Sequence, residues 1–273
     1  MKRRTLLAAA LAAGFAALPG KRSDVPAQKV LWVWAHPDDE TIAGGLSLRQ
    51  HLTAGRDCYV LTLTRGTASG VLDLLNGTGT SSVWGMPHDP AAEGYAPLDE
   101  QAFGVARIAE VTDALRIVAS GTGRTVTLLE AGLTDQAVTK AQAMAAIQAA
   151  YDQICAPGEA LWLKTHTDIL ISGVPLENVD HTAAALACRQ LAADQPAIFG
   201  NLRLYVEPEH WAEAATVRTL SRIVPAAGTH QAAATLDMYM AYAAWAPSVG
   251  RYAIGRQSVP GLWPSPPENR YHT

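Results

Sequence analysis

From Lys29 to Ala35 the chain reads Lys-Val-Leu-Trp-Val-Trp-Ala, an apolar run too short for a helix. It predicts a strand buried on both faces. Thr41–Ala54 follows with helical spacing, and Arg56–Thr64, carrying Tyr59, Val60, Leu61 and Leu63, predicts a second buried strand that stops at the Arg65-Gly66 turn. The alternation continues as a helix over Gln101–Ala119, a strand over Thr125–Glu130, a helix over Gln136–Cys155 and a strand over Ala160–Thr165. It then gives a helix over His181–Ala192, a strand over Leu202–Glu207 and a long helix over His230–Ala244. Strands alternating with helices predict an α/β fold: a mostly parallel sheet with helices on both faces and ligands bound beyond the carboxyl ends of the strands.

Two stretches break the rhythm. Residues 67–104 are rich in Gly, Ser, Pro and Asn without a sustained period, and they leave a strand's carboxyl end, so they are expected to form a lid over the site. The carboxyl-terminal tail, with Trp263, Pro264, Pro266 and Pro267, is expected to pack irregularly over the surface without adding an element.

Of the 273 residues, 49% are hydrophobic, enough for one substantial core, and a single catalytic domain over 28–273 is expected. The net charge of -4 and the lack of a Lys/Arg stripe argue against a nucleic-acid partner. The first 27 residues differ in kind. Lys2, Arg3 and Arg4 precede the uncharged run Leu6–Leu18, and Val25 and Ala27 suit cleavage after Ala27. That order is the grammar of a signal peptide, and Arg3-Arg4 resembles a twin-arginine type, so the protein is expected to be exported, secreted or at the cell envelope. The run is too short for a stable membrane span. Cys58, Cys155 and Cys188 permit at most one disulfide and lie in no CxxC spacing; they read as buried thiols.

The chemistry concentrates in Ala35-His36-Pro37-Asp38-Asp39-Glu40, where the first strand ends and the first helix begins. His36 and Asp39 can converge on one ion across a tight turn, leaving Asp38 to activate water. A competing use is structural, with Asp38 or Asp39 capping the helix and Glu40 favouring its dipole. A catalytic zinc needs a third ligand. His181, in Asn178-Val179-Asp180-His181 after a later strand, is the best candidate, with Asp180 either orienting a ligand or capping the helix.

The run AHPDDE followed by a later DH resembles the PIG-L/LmbE family of zinc-dependent deacetylases. Thr64-Arg65-Gly66 is similar to that family's TRG turn, Arg107, Glu110 and Ala114 to its R-x-x-E-x-x-x-A helix, and Lys164-Thr165-His166 to its T-H strand end. The likeness extends from Lys29 to about Ala192. It implies a Rossmann-like, LmbE-like deacetylase fold holding one zinc per chain on His36, Asp39 and His181, with Asp38 as general base in removal of an N-acetyl group from an N-acetylglucosamine unit.

This chain departs from the family at Asn178, where many members have a histidine. Asn178 can hydrogen-bond an oxyanion but cannot act as an imidazolium, so His166, or His88 on the lid, is a candidate to substitute. Arg65 and Glu40 are plausible sugar contacts, and Trp84, His88 and Tyr95 on the lid are plausible contacts for a bulky acceptor. Lid and signal together resemble the branch that deacetylates glycopeptide-antibiotic pseudoaglycones of the teicoplanin type. The alternatives are a zinc amidase acting on a thiol conjugate and a non-catalytic carbohydrate-binding relative.

Overall fold

The computed structural model describes residues 28–225, 230–262 and 268–273. The segment read as a signal peptide and the tail residues Trp263, Pro264, Pro266 and Pro267 lie outside the described residues. In chain order, β1 (Lys29–Trp34) leads into α1 (Asp39–Ile42) and α2 (Gly45–Thr53), then β2 (Asp57–Thr62). The long connection carries α3 (Val71–Leu75) and α4 (Pro90–Glu93) before α5 (Glu100–Ala119) and β3 (Val126–Glu130). Next come α6 (Lys140–Ile154), β4 (Leu161–His166) and a small hairpin of β5 (Leu170–Ile171) and β6 (Val174–Pro175). They are followed by α7 (Val179–Asp194), α8 (Pro196–Phe199) and β7 (Leu202–Val206). The last part holds α9 (Trp211–Val217), β8 (Ser221–Ile223), α10 (His230–Tyr242), the paired β9 (Trp245–Ala246) and β10 (Arg251–Tyr252), α11 (Ile254–Ser258) and β11 (Asn269–His272).

Seven strands form one sheet in the order β3-β2-β1-β4-β7-β11-β8. The first five are parallel, and β11 runs antiparallel to both β7 and β8. Because successive side chains of a strand point to opposite faces, the all-apolar β1 feeds two cores at once. Val30, Trp32 and Trp34 pack with Leu48 of α2, Val111 and Leu115 of α5 and Met238 and Tyr242 of α10. Leu31 and Val33 pack on the other face with Ile147 of α6, Ala184 and Leu191 of α7 and Phe199 of α8. Each Val, Leu, Ile, Phe or Met among them, removed wholly from water, contributes about 1.5–3 kcal/mol.

Three elements differ from expectation. The helix expected over Thr41–Ala54 is broken into α1 and α2 at Ala43-Gly44, where a Cβ on Gly44 would lie 2.7 Å from Cζ2 of Trp34. The bulk of the two tryptophans below leaves room only for a glycine there. The helix expected from Gln136 begins at Lys140, because Thr139 and Gln142 form a reciprocal capping box that fixes its start. The tail does add elements: β11 enters the main sheet between β7 and β8, held by backbone pairing that a reading of hydrophobic period does not register.

The connection at 67–104, expected to be a lid, is also different. Its aromatic residues lie against the β9–β10 region: His88 stacks on Trp245 with ring centroids 4.8 Å apart, Trp84 lies 5.1 Å from Trp245, and Tyr95 lies 5.2 Å from Tyr252. The Tyr95 hydroxyl donates to the Leu75 carbonyl at 2.7 Å. Much of the apolar surface expected to meet a ligand packs against the chain itself, while Trp84 stays exposed. Among the described residues, no helix is long and apolar enough to cross a membrane, and the three cysteines are free thiols.

Candidate metal centre

The chain builds outward from β1 to β2 and β3, then returns to place β4 on the other side of β1. The carboxyl ends of β1 and β4 therefore flank the point where strand order reverses, the place where an open α/β sheet leaves a crevice. A cavity of about 280 Å³ opens there, with His36, Asp38, Asp39, Asn178 and His181 in its wall.

The turn after β1 is strained. Asp38 has φ of 117°, a region that side-chain-bearing residues seldom occupy and that costs about 1–3 kcal/mol. Arg107 of α5 holds the turn in place: Nη2 donates to the Pro37 carbonyl at 2.6 Å and to Oδ2 of Asp38 at 2.9 Å, and Nη1 donates to the Gly66 carbonyl at 2.8 Å. A Cβ on Gly66, at φ of 63°, would fall 1.8 Å from Nη1 of Arg107, which explains the glycine of the Thr64-Arg65-Gly66 turn. Ser258 of α11 donates a further hydrogen bond to Oδ2 of Asp38 at 2.9 Å.

Nδ1 of His36 lies 3.1 Å from Nε2 of His181 and 3.8 Å from Oδ2 of Asp39, and the last two atoms are 3.5 Å apart. Ligands at 2.0–2.1 Å from a tetrahedral ion are separated by about 3.3 Å, so these three atoms outline one face of a zinc tetrahedron. The other nitrogen of each imidazole meets a carboxylate. Nε2 of His36 is 3.1 Å from Asp135 and 3.4 Å from Asp180, and Nδ1 of His181 is 2.9 Å from Glu177. Such partners fix the tautomer that turns a lone pair to a metal. Asp180 is itself held by the backbone N–H groups of Gln136 and Val138.

His166, Glu177, His181 and Glu207 form a second group of potential donors, but its geometry suits an ion poorly. The His166 and His181 rings stack with centroids 3.7 Å apart and planes 14° from parallel. An ion midway between them would sit up to about 1.8 Å out of each ring plane, where imidazole has no lone pair.

The charges follow the geometry. Burial alone would raise the Asp39 carboxyl, but the imidazoles of His181, His166 and His36 hold it well below the usual carboxylate range. Burial works to lower the pKa of His36, yet hydrogen bonds to Asp135 and Asp180 and the charge of Asp39 carry it up to about 10. Of the two stacked rings, burial and the charge of His166 push His181 down, while Asp39 and Glu177 outweigh burial and raise His166. Asp38 is pushed up to about 6 by burial, against the pull of Arg107. Glu207 is raised well above its usual value by burial and by its neighbours Glu177 and Asp39.

The other candidate residues are distributed unevenly. Asn178 lines the cavity, but its Oδ1 accepts from the N–H groups of Asp180 and His181 and so caps α7; only its Nδ2 remains to donate elsewhere. His166 is fully buried behind His181 and does not line the cavity. Glu40 is turned inward, bound to the hydroxyls of Thr41 and Tyr242, and Arg65 is directed outward onto Glu130, so neither reaches the cavity wall. Trp84, His88 and Tyr95 are likewise absent from it. His88 is buried, its ring nitrogens at 3.1 Å from Glu93 and from Gln257, and of residues 67–104 only Ser69 lines the cavity among the described residues. The sequence reading missed Asp135, Glu177, Glu207 and Ser258. Asp135 had one readable mark, its place just past a parallel strand's carboxyl end.

A family profile described as PIG-L: GlcNAc-PI de-N-acetylase matches residues 31–192, more than half of the chain. No curated protein matches it. Among solved structures, a triple mutant of the teicoplanin-pathway deacetylase Orf2 is similar at a TM-score of 0.53 and 18% identity, covering 86% of this chain and 84% of that one. The zinc-inhibited form of Orf2 gives 0.51 and 16%, with 79% and 84% covered. The A40926 pseudoaglycone deacetylase Dbv21 gives 0.52 and 19%, with 86% and 85% covered. GalB, the 4-carboxy-2-hydroxymuconate hydratase of Pseudomonas putida, gives 0.51 and 16%, with 89% and 95% covered. The fold therefore hosts more than one reaction, and the chemistry has to be argued from the site.

Proposed function

The chain belongs to the PIG-L family, and from that premise we propose that it is a zinc-dependent hydrolase that removes the N-acetyl group from an N-acetylglucosamine unit of a bulky glycoconjugate. The observation that carries the reading is the triangle of His36, Asp39 and His181 donor atoms at the cavity, with the Asp38 carboxylate beside it. Two imidazoles and one carboxylate, each imidazole backed by an acid, suit zinc in a catalytic setting. Zinc held there would polarise the acetyl carbonyl and make a water acidic enough to lose its proton near neutral pH. Asp38 takes the proton of the attacking water and returns it to the leaving amine. Arg107 holds Asp38 in this role, and Asn178, which lines the cavity and has its Nδ2 free of the α7 cap, donates to the carbonyl oxygen as charge develops on it.

The cavity, at about 280 Å³, lies just below the range of about 300–1,000 Å³ usual for ligand sites, which favours one acetylated sugar unit inside and the rest of the acceptor outside. A glycopeptide pseudoaglycone is an acceptor of that form. Export through the first 27 residues is part of the same proposal and is checked by the amino-terminal sequence of the protein recovered from culture medium.

The test is acetate release from a panel of N-acetylglucosamine glycosides and glycopeptide pseudoaglycones, before and after chelation and zinc return. Zinc-dependent release is expected from an acetylated sugar, and Asp38→Asn should retain zinc while losing about 10²–10⁴-fold in kcat. Release only from acylated thiol conjugates, or full activity in Asp38→Asn, would contradict the reading.

A further inference from the structure

The family match ends at residue 192, yet a side chain from the far end of the molecule touches the central acid of the AHPDDE run. Oγ of Ser258 lies 2.9 Å from Oδ2 of Asp38 and 3.1 Å from the Gly255 carbonyl. A hydroxyl has one proton to give, and the nearer, charged carboxylate is the stronger acceptor. Arg107 binds the same oxygen at 2.9 Å. Both donors therefore converge on Oδ2, leaving Oδ1 as the oxygen available to a proton in the cavity.

The placement of Ser258 is built and not incidental. Glu110 lies one helical turn beyond Arg107 on α5, on the same face. Its two carboxylate oxygens accept from the backbone N–H groups of Ile254 at 2.8 Å and Gly255 at 3.0 Å, which seats the start of α11. Gln257 on that short helix donates to the Tyr252 carbonyl and meets Nε2 of His88 at 3.1 Å. One face of α5 thus grips the turn that carries Asp38 through Arg107, and the segment that carries Ser258 through Glu110.

We propose that Ser258 is a positioning residue for Asp38: with Arg107 it fixes the carboxylate from both sides of Oδ2, so that Oδ1 alone faces the cavity. The inference rests on the reading of Asp38 as the base. The ion pair with Arg107 sets the distance, and the hydroxyl sets the rotation about the last side-chain bond.

The experiment compares Ser258→Ala and Ser258→Thr with the parent protein in crystal structures and, with zinc bound, in acetate release from an aryl glycoside of N-acetylglucosamine. In Ser258→Ala the Asp38 carboxylate is expected to turn about its bond while Arg107 stays in contact. Zinc content and KM should be unchanged and kcat should fall about tenfold, the scale of one hydrogen bond to a charged group. Ser258→Thr, which keeps the hydroxyl, should restore the carboxylate orientation and most of kcat. An Asp38 carboxylate that keeps its place in Ser258→Ala overturns the proposal, as does an equal loss of kcat in Ser258→Thr with its hydroxyl seated on Oδ2. If the parent protein releases no acetate yet the carboxylate turns in Ser258→Ala and returns in Ser258→Thr, the positioning role stands and the deacetylase reading falls.

Discussion

The connection at 67–104 and the stretch from Trp245 onward are both poor in regular structure, but they stand in opposite relations to the cavity. The first keeps its aromatic side chains for the chain itself: Trp84 and His88 lie on Trp245, Tyr95 on Tyr252 and Trp245. The second reaches inward, placing Ser258 and Val259 in the cavity wall and β11 in the sheet. Irregular chain near an active site is thus no guide to which segment meets a substrate. What decides is where the segment is fastened, and α11 is fastened to α5 next to Arg107.

The contrast can be broken at the shared platform. Trp245→Ala removes the surface against which four aromatic rings lie and should cost about 2–3 kcal/mol of stability. Because β9 and β10 lead into α11, it should also lower kcat on a simple acetylated sugar; denaturant unfolding and steady-state kinetics read the two effects. A variant as stable as the parent would show that the two segments are not joined there.

Glu110→Ala is expected to act next in size, about 1–3 kcal/mol net, since it leaves two buried N–H groups without partners but also removes a carboxyl whose burial is itself unfavourable. Its kcat should fall with zinc content intact, as measured by turnover alongside elemental analysis. Trp84→Ala should do least. The side chain is 38% exposed and borders the aromatic group from outside, so a loss of about 1 kcal/mol or less in unfolding and unchanged kcat/KM on a small glycoside are expected. A selective loss on a pseudoaglycone in that variant would return a substrate role to the connection.

How far the molecule was legible in its sequence follows from the range of the forces involved. The strand β1 is an uninterrupted apolar run whose burial is written in composition, β2, β4 and β7 carry shorter apolar stretches, and His36, Asp38 and Asp39 sit within one short turn. These are local signals. The acids behind the candidate ligands, Asp135, Glu177 and Glu207, are single carboxylates in loops and at strand ends; a place past a strand's carboxyl end is the one mark that Asp135 and Glu207 carry, and no motif around them tells them from surface residues. Ser258 meets Asp38 across 220 positions, a contact that exists only because Glu110 seats α11. The Thr139–Gln142 capping box, by contrast, was a readable start signal for α6 and places it four residues after Gln136. β11 is four residues of mixed polarity, Asn-Arg-Tyr-His, which pairing with β7 and β8 makes a strand where period and propensity do not.

Whether His36, Asp39 and His181 hold one zinc at this cavity is measured most directly by anomalous diffraction at the zinc absorption edge from crystals grown with one equivalent of the metal. A single peak in contact with Nδ1 of His36, Oδ2 of Asp39 and Nε2 of His181 is expected, and no such peak in His181→Ala. A peak between the stacked rings of His166 and His181, on the side of Glu177 and Glu207, or an undiminished peak in the variant, would contradict that ligand set.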